Sequence, residues 1–505
     1  MPVRTLLGGH LGAMMVAAFT WSDAAAQSRI DTVSPAPLPA FEALVAALPG
    51  EPVALETLRR IAAREAIPAR VAAAERRRAD GALLRAGVEM DPVLAVRSGV
   101  ASDLYGGTPN RAVSSTVVAS TGLRWGSTLS ASYERFDGSG FDPVLQLTAP
   151  STVAFSVSQP LFDGRRERPL GTRAAASERT AAEYQRDRAL QEVLATVEVQ
   201  YWALAEAQSM EAVRARSVAL AEQLLERTTR LATLDIVASA DLLTVRTGLA
   251  RRRVALLQAR EQRLERADAL VTLAYGSRAG EKLTVATAPI KALDADVDTP
   301  AAVAESRGEQ ALLVDALRQR PDVRAARERR EAARLRASAA QSGLLPDVAL
   351  EGGWAAVSVP NASLGNALAT NGTARGWRAG LRIATPLFNR ADRARALTAL
   401  VDQDVEELRV MEMENAVRLD IRLAERAVAL ARDRLLAVDE AATLATRQLE
   451  AERQRQSLGL SDTFRVMQTE EIVVEAQLDA VRARFDLRRA RARLALATGT
   501  NQPVP

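Results

Sequence analysis

The sequence predicts a mainly helical chain with a membrane β-barrel part, built twice over on one plan. Three observations carry that reading. Segments 170–288 and 387–502 contain no proline, and the single glycine between Gly171 and Gly276 is Gly248, as between Gly380 and Gly499 it is Gly459. So few breakers over such spans mean very long helices. Before each span lies a stretch rich in Gly, Ser, Thr and aromatic residues where apolar and polar side chains alternate, the period of a strand with two unlike faces. Short motifs also recur in the same order, the mark of an internal duplication.

Composition narrows the chemistry. The chain has 505 residues, 66 Lys+Arg, 62 Asp+Glu, no cysteine and one histidine, His10. That excludes a disulfide framework, a thiolate metal site and a cysteine nucleophile. If His10 is removed with a leader, the usual near-neutral general base goes too. No catalytic residue, cofactor or metal is expected. A two-carboxylate glycoside hydrolase would need its acids in a compact pocket-forming pattern, which they do not make. The bases are almost all arginine, with lysine only at 282 and 291 and no basic block, so nucleic acid is not an expected partner.

Residues 1–26 read as a secretory signal: Arg4 is the charged start, Leu6 to Thr20 the apolar run, and Ala24-Ala25-Ala26 before Gln27 the cleavage site. No cysteine follows the cut, so no lipid anchor is expected. No later stretch has eighteen consecutive apolar residues. A mature chain held in a membrane would therefore have to be held there by a closed barrel.

After an extension over 27–53, two repeats are expected at 54–276 and 311–499, joined by a crossover at 277–310 and followed by a tail at 500–505. Ser158-Gln159-Pro160-Leu161-Phe162 recurs as Ala384-Thr385-Pro386-Leu387-Phe388, an offset of 226, and Leu273-Ala274-Tyr275-Gly276 as Leu496-Ala497-Thr498-Gly499, an offset of 223. Ile67-Pro68 running to Pro92 matches Arg320-Pro321-Asp322-Val323 running to Pro346. Each repeat opens with an Ala/Arg-rich helical stretch (54–91; 311–345). Strands follow at 92–160 and 347–388, with about 27 extra residues in the first repeat. Long helices complete it, with apolar steps of three and four at Leu190, Val193, Leu194, Val197, Tyr201 and Leu204.

In the strand stretches Trp377, Ala379, Leu381 and Ile383 alternate with Arg378, Gly380 and Arg382; Val153, Phe155 and Val157 alternate with Thr152, Ala154 and Ser156. Leu129, Ala131 and Tyr133, and Val348, Leu350 and Trp354, follow the same rule. Arg378 and Arg382 are expected on a water-filled inner face, the apolar set against lipid, with Trp125, Tyr133, Trp354 and Trp377 at strand ends. Loops 102–114, 136–146 and 360–375 are expected outside the cell. Pro160 and Pro386 are expected to start helices at strand–helix junctions.

Strands between very long helices, twice over in an exported chain, resemble the TolC-type outer-membrane efflux protein family. The Pro-Leu-Phe junctions, Arg320-Pro321-Asp322-Val323, Leu345-Pro346 and Leu458-Gly459-Leu460-Ser461 carry the likeness. The resemblance implies a homotrimer whose long antiparallel coiled-coil helices form an α-barrel through the periplasm, with strands pooled into one transmembrane β-barrel. It implies a channel-tunnel for efflux or secretion, passing small molecules or proteins. Its partners would be a periplasmic adaptor (membrane fusion) protein, an inner-membrane transporter and outer-membrane lipid. About four strands per chain could not close a barrel alone, because open edges leave unpaired amides in lipid.

By the same resemblance the far turns of the helical hairpins form the periplasmic entrance. Asp235, Asp241, Asp462 and Arg465 fall there as gate candidates, with Asp241 and Arg465 at equivalent places. Leu458, Gly459, Leu460 and Ser461 form the turn that would contact an adaptor. The alternative is a soluble periplasmic coiled-coil adaptor or scaffold, which accounts for the helices but not for the duplicated junctions or the alternating strands.

Overall fold

Proline and glycine decide where the helices break. In a computed structural model of the chain, α1 (Leu55–Glu65) and α2 (Ile67–Gly87) are separated only by Ala66, whose ψ is 131°. The arrangement recurs in α5 (Glu309–Gln319) and α6 (Pro321–Ser342), separated by Arg320 at ψ 125°. At the second break the proline ring of Pro321 disfavours the helical ψ for Arg320 before it. Pro68 stands one place further in, after Ile67, and at a first helical turn the missing N–H of either proline costs nothing. The described residues are 53–105, 108–123, 125–138, 151–161, 163–233, 239–276, 308–358, 373–385 and 387–501. The leader at 1–26, nearly all of the extension, Asp235, Pro386, most of the crossover and the last four residues lie outside them.

Where breakers are missing, the helices run on. α3 (Asp163–Ala232) has 70 residues and α7 (Arg390–Ser457) has 68, each about 100 Å long at 1.5 Å per residue. Their partners α4 (Ser239–Tyr275) and α8 (Thr463–Thr498) have 37 and 36. They cover only the half of each long helix nearest the hairpin turn, and α2 and α6 cover the rest. The helices lie in the order α4–α3–α8–α7, an open arc. α3 begins six residues before Pro169, which sits inside its early turns, so the helix starts earlier than the proline-free span suggests.

Two cores lie where the short helices meet the long ones. Leu58, Ile61, Val197, Tyr201, Trp202, Leu270 and Tyr275 form the first, with Phe485 of α8 closing it. Leu312, Val323, Val417, Ile421 and Leu494 form the second. Toward the sheet the contact stripes are largely alanine, as at Ala174, Ala181, Ala332, Ala333 and Ala337, which lets long helices approach closely. Toward the hairpin turns smaller clusters such as Val218, Ala221 and Leu249, and Leu449, Val466 and Val473, take over.

The end of each hairpin is stitched to the start of the α2 or α6 helix. Arg320, 2% exposed, holds Asp322 at 2.6 Å, Asp420 of α7 at 3.1 Å and the Ala497 carbonyl at the end of α8 at 3.0 Å. Arg188 of α3 lies 3.6 Å from Asp322. Burial alone would raise the Asp322 carboxyl; hydrogen bonds and charge from Arg320, with help from Arg188 and the Val323 amide, overcome this and hold it below the ordinary range. Beside this network Gly499 ends α8 at φ 75°, and at the matching place Gly276 ends its hairpin at φ 54°. A Cβ on Gly276 would sit 2.3 Å from the Glu65 carbonyl oxygen, whereas one on Gly459 (φ 74°), at the far turn, would meet nothing. Gly459→Ala is therefore expected to cost only the left-handed penalty, about 1–2 kcal/mol, and Gly276→Ala distinctly more. Equal losses in denaturant midpoint would show that the close approach is not what selects glycine.

The sheet departs from expectation in number. Six strands, not four, form one antiparallel sheet in chain order: β1 (Val93–Tyr105), β2 (Thr108–Gly122), β3 (Thr128–Gly138), β4 (Ser151–Pro160), β5 (Asp347–Ser358) and β6 (Thr373–Ala384). The extra residues of the first repeat make a whole added hairpin. Segment 102–114 is thus strand rather than loop, with only 106–107 left between β1 and β2. The other two expected loops lie mostly outside the described residues. Pro160 is likewise corrected. It pairs with Ala349 as the last residue of β4, and α3 begins at Asp163, so this proline ends a strand instead of starting a helix. A strand's final position tolerates a residue with no N–H to donate.

Candidate functional site

Register turns the strand alternation into a two-faced wall. Leu94, Ala119, Ala131, Phe155, Trp354 and Trp377 stand in one continuous row across all six strands. Val96, Val117, Tyr133, Val153 and Ala356 form the next, ending at Arg375 near the far end of β6. Leu350–Leu381 and Val348–Ile383 complete the apolar face. Much of it is bare, with Trp377 81% exposed and Ile383 64%, while Val153 and Ala356 in the second row are buried. Tyr133, Trp354 and Trp377 lie within their strands, not at the ends as expected; only Trp125, in the turn after β2, marks an edge. Phe155 and Trp354 pack at 5.9 Å between ring centroids.

The opposite face is polar. Arg382 reaches Asp347 at 2.7 Å and Glu351 at 2.9 Å, and Ser130 shares a 2.6 Å hydrogen bond with Ser156. Arg378 lies across Gly353, where a Cβ would come within 2.9 Å of its Nε. Both arginines therefore stand on the polar face, Arg378 in one row with Gly353, Ser156 and Ser130, and the same face carries Glu134, Thr116 and Thr152 further across the sheet. Among the described residues no helix is long and apolar enough to cross a membrane.

The far turn of the second hairpin is tightly built. Leu460 N–H donates to the Arg455 carbonyl at 2.9 Å and Gly459 N–H to Gln456 at 3.0 Å, a Schellman closure. Asp462 caps α8, its Oδ1 accepting the Arg465 amide at 2.7 Å. Ser461 donates to Glu452. Leu458 and Leu460 are each 67% exposed beside an exposed Phe464, so a rigid polar turn holds out an apolar knob. The capping role gives Asp462 a purely structural reason to be acidic: Asp462→Ala is expected to cost about 0.5–2 kcal/mol of helix stability. Calorimetry of the purified protein reads that loss.

Asp241 lies in the first turn of α4, where a negative charge suits the helix dipole. Arg465 occupies the corresponding turn of α8, where a positive charge does not. Among the described residues neither forms an ion pair.

Sequence reasoning missed the strongest charge cluster near this end. Arg252 of α4 and Glu470 of α8, both buried, meet at 3.1 Å; Arg453 of α7 reaches Glu470 at 2.9 Å, and Arg252 donates to the Ser217 carbonyl of α3 at 3.4 Å. Arg214 adds a 3.0 Å contact to Glu475. One network thus ties all four helices of the two hairpins. Its members lie 218 residues apart in the chain, and no local pattern announces them.

Comparison with known proteins bears on what this arrangement is for. Residues 312–500 match the sequence model of the family described as outer membrane efflux protein. No curated protein matches the sequence. Among solved structures, the Campylobacter jejuni CmeC outer membrane channel is similar at 14% identity, covering 89% of this chain and 87% of its own, with a TM-score of 0.65. The open-state Neisseria gonorrhoeae MtrE outer membrane channel is similar at 17%, covering 88% of each, at 0.65. The Vibrio cholerae outer membrane protein VceC is similar at 17%, covering 88% of this chain and 96% of its own, at 0.63. At these identities the likeness is one of fold.

Proposed function

We propose that the chain, whose residues 312–500 match the outer membrane efflux protein family model, is an outer-membrane efflux channel assembled from three copies, its helices forming a duct through the periplasm. One observation carries the reading: an uncovered apolar sheet face, backed by a polar one, set on the ends of helices about 100 Å long. A soluble scaffold would have no use for that face.

The open arc supports assembly. Its edge helices each carry exposed apolar side chains at the same level: Val254, Leu257 and Leu264 on α4, and Leu430, Leu436 and Leu444 on the turn-side half of α7. Packing α4 of one copy on α7 of the next is a heterologous contact, which closes into a ring when the rotation allows. The hairpin turns then gather at one end as the periplasmic entrance. The apolar knob at Leu458, Gly459, Leu460 and Ser461 suits the tip of a periplasmic adaptor, itself bound to an inner-membrane transporter. The leader is removed on export and no lipid is attached.

Outer-membrane fractionation, the intact mass of the mature protein and its conductance in planar bilayers test this; a soluble periplasmic monomer would end it. For the gate, Asp241 of one hairpin pairs with Arg465 of a neighbouring one, near Asp462. Such exposed pairs contribute about 0.2–1 kcal/mol each, enough in a ring to bias an equilibrium but not to lock it. Arg465→Asp should raise conductance more than Arg465→Ala does, and Asp241→Arg added to Arg465→Asp should restore closure. Additive conductances in the double variant would leave packing and the Arg252–Glu470 network as what holds the entrance.

A further inference from the structure

Six strands per chain have a consequence for the width of the pore. We infer that β6 of each copy pairs directly with β1 of its neighbour, so that all six strands line the membrane and three copies close an eighteen-stranded barrel. The count of eighteen rests on the three-copy reading above; the β6–β1 contact does not.

Four features support it. First, β1 and β6 are the sheet's two edges and are nearly equal in length, 13 and 12 residues. Within lipid an unpaired edge is not tolerated, and no sheet of six strands is wide enough to close on itself as an outer-membrane barrel. Second, six is even. β1 runs away from the helices and β6 runs back toward them, so β6 meets a neighbour's β1 antiparallel, continuing the pattern of the whole sheet. Third, the apolar face includes both edges: Leu94 and Val96 on β1 share it with Leu381 and Ile383 on β6. The first hairpin therefore belongs to the same wall as the last and is not a flap lying beside it. Ser98 and Ser115, which fall on that face in the middle of β1 and β2, hydrogen-bond each other at 3.0 Å and so present little unsatisfied polarity to lipid, while Thr121 and Arg135 share the face near strand ends.

The fourth feature is the stagger. The row that begins at Leu94, one residue from the helix end of β1, reaches Trp377, seven residues from the helix end of β6. With about 3.4 Å per residue along a strand and about 4.8 Å between strands, that climb corresponds to a tilt of about 40°. This falls in the range of closed membrane barrels. At such a tilt six strands occupy about 38 Å of circumference. Four helices spaced by about 8–10 Å occupy about 32–40 Å. The six-stranded arc thus sits on the four-helix arc without a mismatch, where four strands would span only about 25 Å. Eighteen strands enclose a backbone cylinder about 36 Å across, against about 24 Å for twelve. The inserted hairpin is accordingly a device that widens the outer opening to the width of the duct below it.

The test uses engineered cysteines, since the chain has none of its own, in full-length protein assembled in the outer membrane. One set of variants pairs β6 with β1: Ile383→Cys or Leu381→Cys, each combined with Leu94→Cys or Val96→Cys. The other set pairs the same β6 positions with β3: Leu129→Cys or Ala131→Cys. Facing residues on adjacent strands bring Cβ atoms within disulfide reach. Oxidation should link copies covalently in the β6–β1 set and leave the β6–β3 set as single chains, with single-cysteine variants as controls. Inter-chain linkage in the β6–β3 set would overturn the inference, because the wall would then hold four strands per copy and the first hairpin would lie outside it. Linkage in neither set would overturn it equally. Neither result touches the channel itself, whose copy number is read separately from the native mass of the unlinked assembly. A mass of two or four copies with β6–β1 linkage would replace eighteen by twelve or twenty-four while keeping the contact.

Discussion

Replacing Arg320 by methionine should lower stability by about 3–5 kcal/mol, the cost of removing one member of a buried ion network and leaving its partners uncompensated. The side chain is almost wholly buried and its guanidinium serves three elements at once: Asp322 at the start of α6, Asp420 on α7 and the Ala497 carbonyl at the end of α8. Methionine fills comparable space, so packing alone would predict a small change. Arg320→Lys keeps the charge but not the fork that grips both carboxylates, and should fall between the two. Denaturant unfolding of the detergent-extracted protein reads the difference.

The pH dependence should carry the signature of Asp322. Its carboxyl is held below the ordinary value, so its contribution is complete above about pH 3.9, the unfolded value, and is lost as pH falls through the folded one. Without Arg320, burial prevails and the carboxyl rises; its protonation then relieves a buried charge, and the variant gains stability on acidification. The gap between wild type and Arg320→Met should thus be widest near neutrality and narrow toward acid. Adding Asp322→Leu to Arg320→Met should recover much of the loss at neutral pH, since an apolar replacement of the whole pair removes the uncompensated charge. A pH-independent gap would mean that packing, not charge, is what Arg320 supplies.

A second large effect should come from the lipid face of β6. Ala379 lies midway along that strand, on the face shared with Trp377 and Leu381. Ala379→Arg should cost about 2–4 kcal/mol, the penalty for a cation near the bilayer midplane. At Ile383, one residue from the helix end, the same change should cost about 0–1 kcal/mol, because the side chain can reach the interface. On the water face Gly380→Arg should be tolerated. Arg382→Gln should cost little, as its pairs with Asp347 and Glu351 are half exposed. Folded fraction in lipid vesicles across a denaturant series measures all four. Equal penalties at 379 and 380 would mean that the apolar face does not meet lipid.

How much of this was legible in advance differs by element. The long helices could be read because absence of proline and glycine acts locally, residue by residue. The faces of β4 and β6 could be read because Val153, Phe155 and Val157 and their counterparts at 379, 381 and 383 alternate cleanly. β1 and β2 were obscured by small polar residues. Ser98 and Ser115 fall on the apolar face, where the sequence pattern marks them as breaks; they become acceptable only once pairing brings their hydroxyls together. The strand count went wrong for that reason.

The candidate entrance residues come from counting along a repeat, which locates a turn but not its contacts. The Asp462 cap and the apolar knob at Leu458 and Leu460 follow from the local turn and lay within reach of the sequence. Arg252 and Glu470, and the partners of Arg320 a hundred or more residues away, did not. Sequence by itself determined the helix lengths, the alternation of the recognised strands and the duplicated order, because each depends on neighbours a few residues apart. Only the tertiary structure decided which charges are buried, how many strands share one wall and where the arc is left open, because those depend on which distant segments share one space.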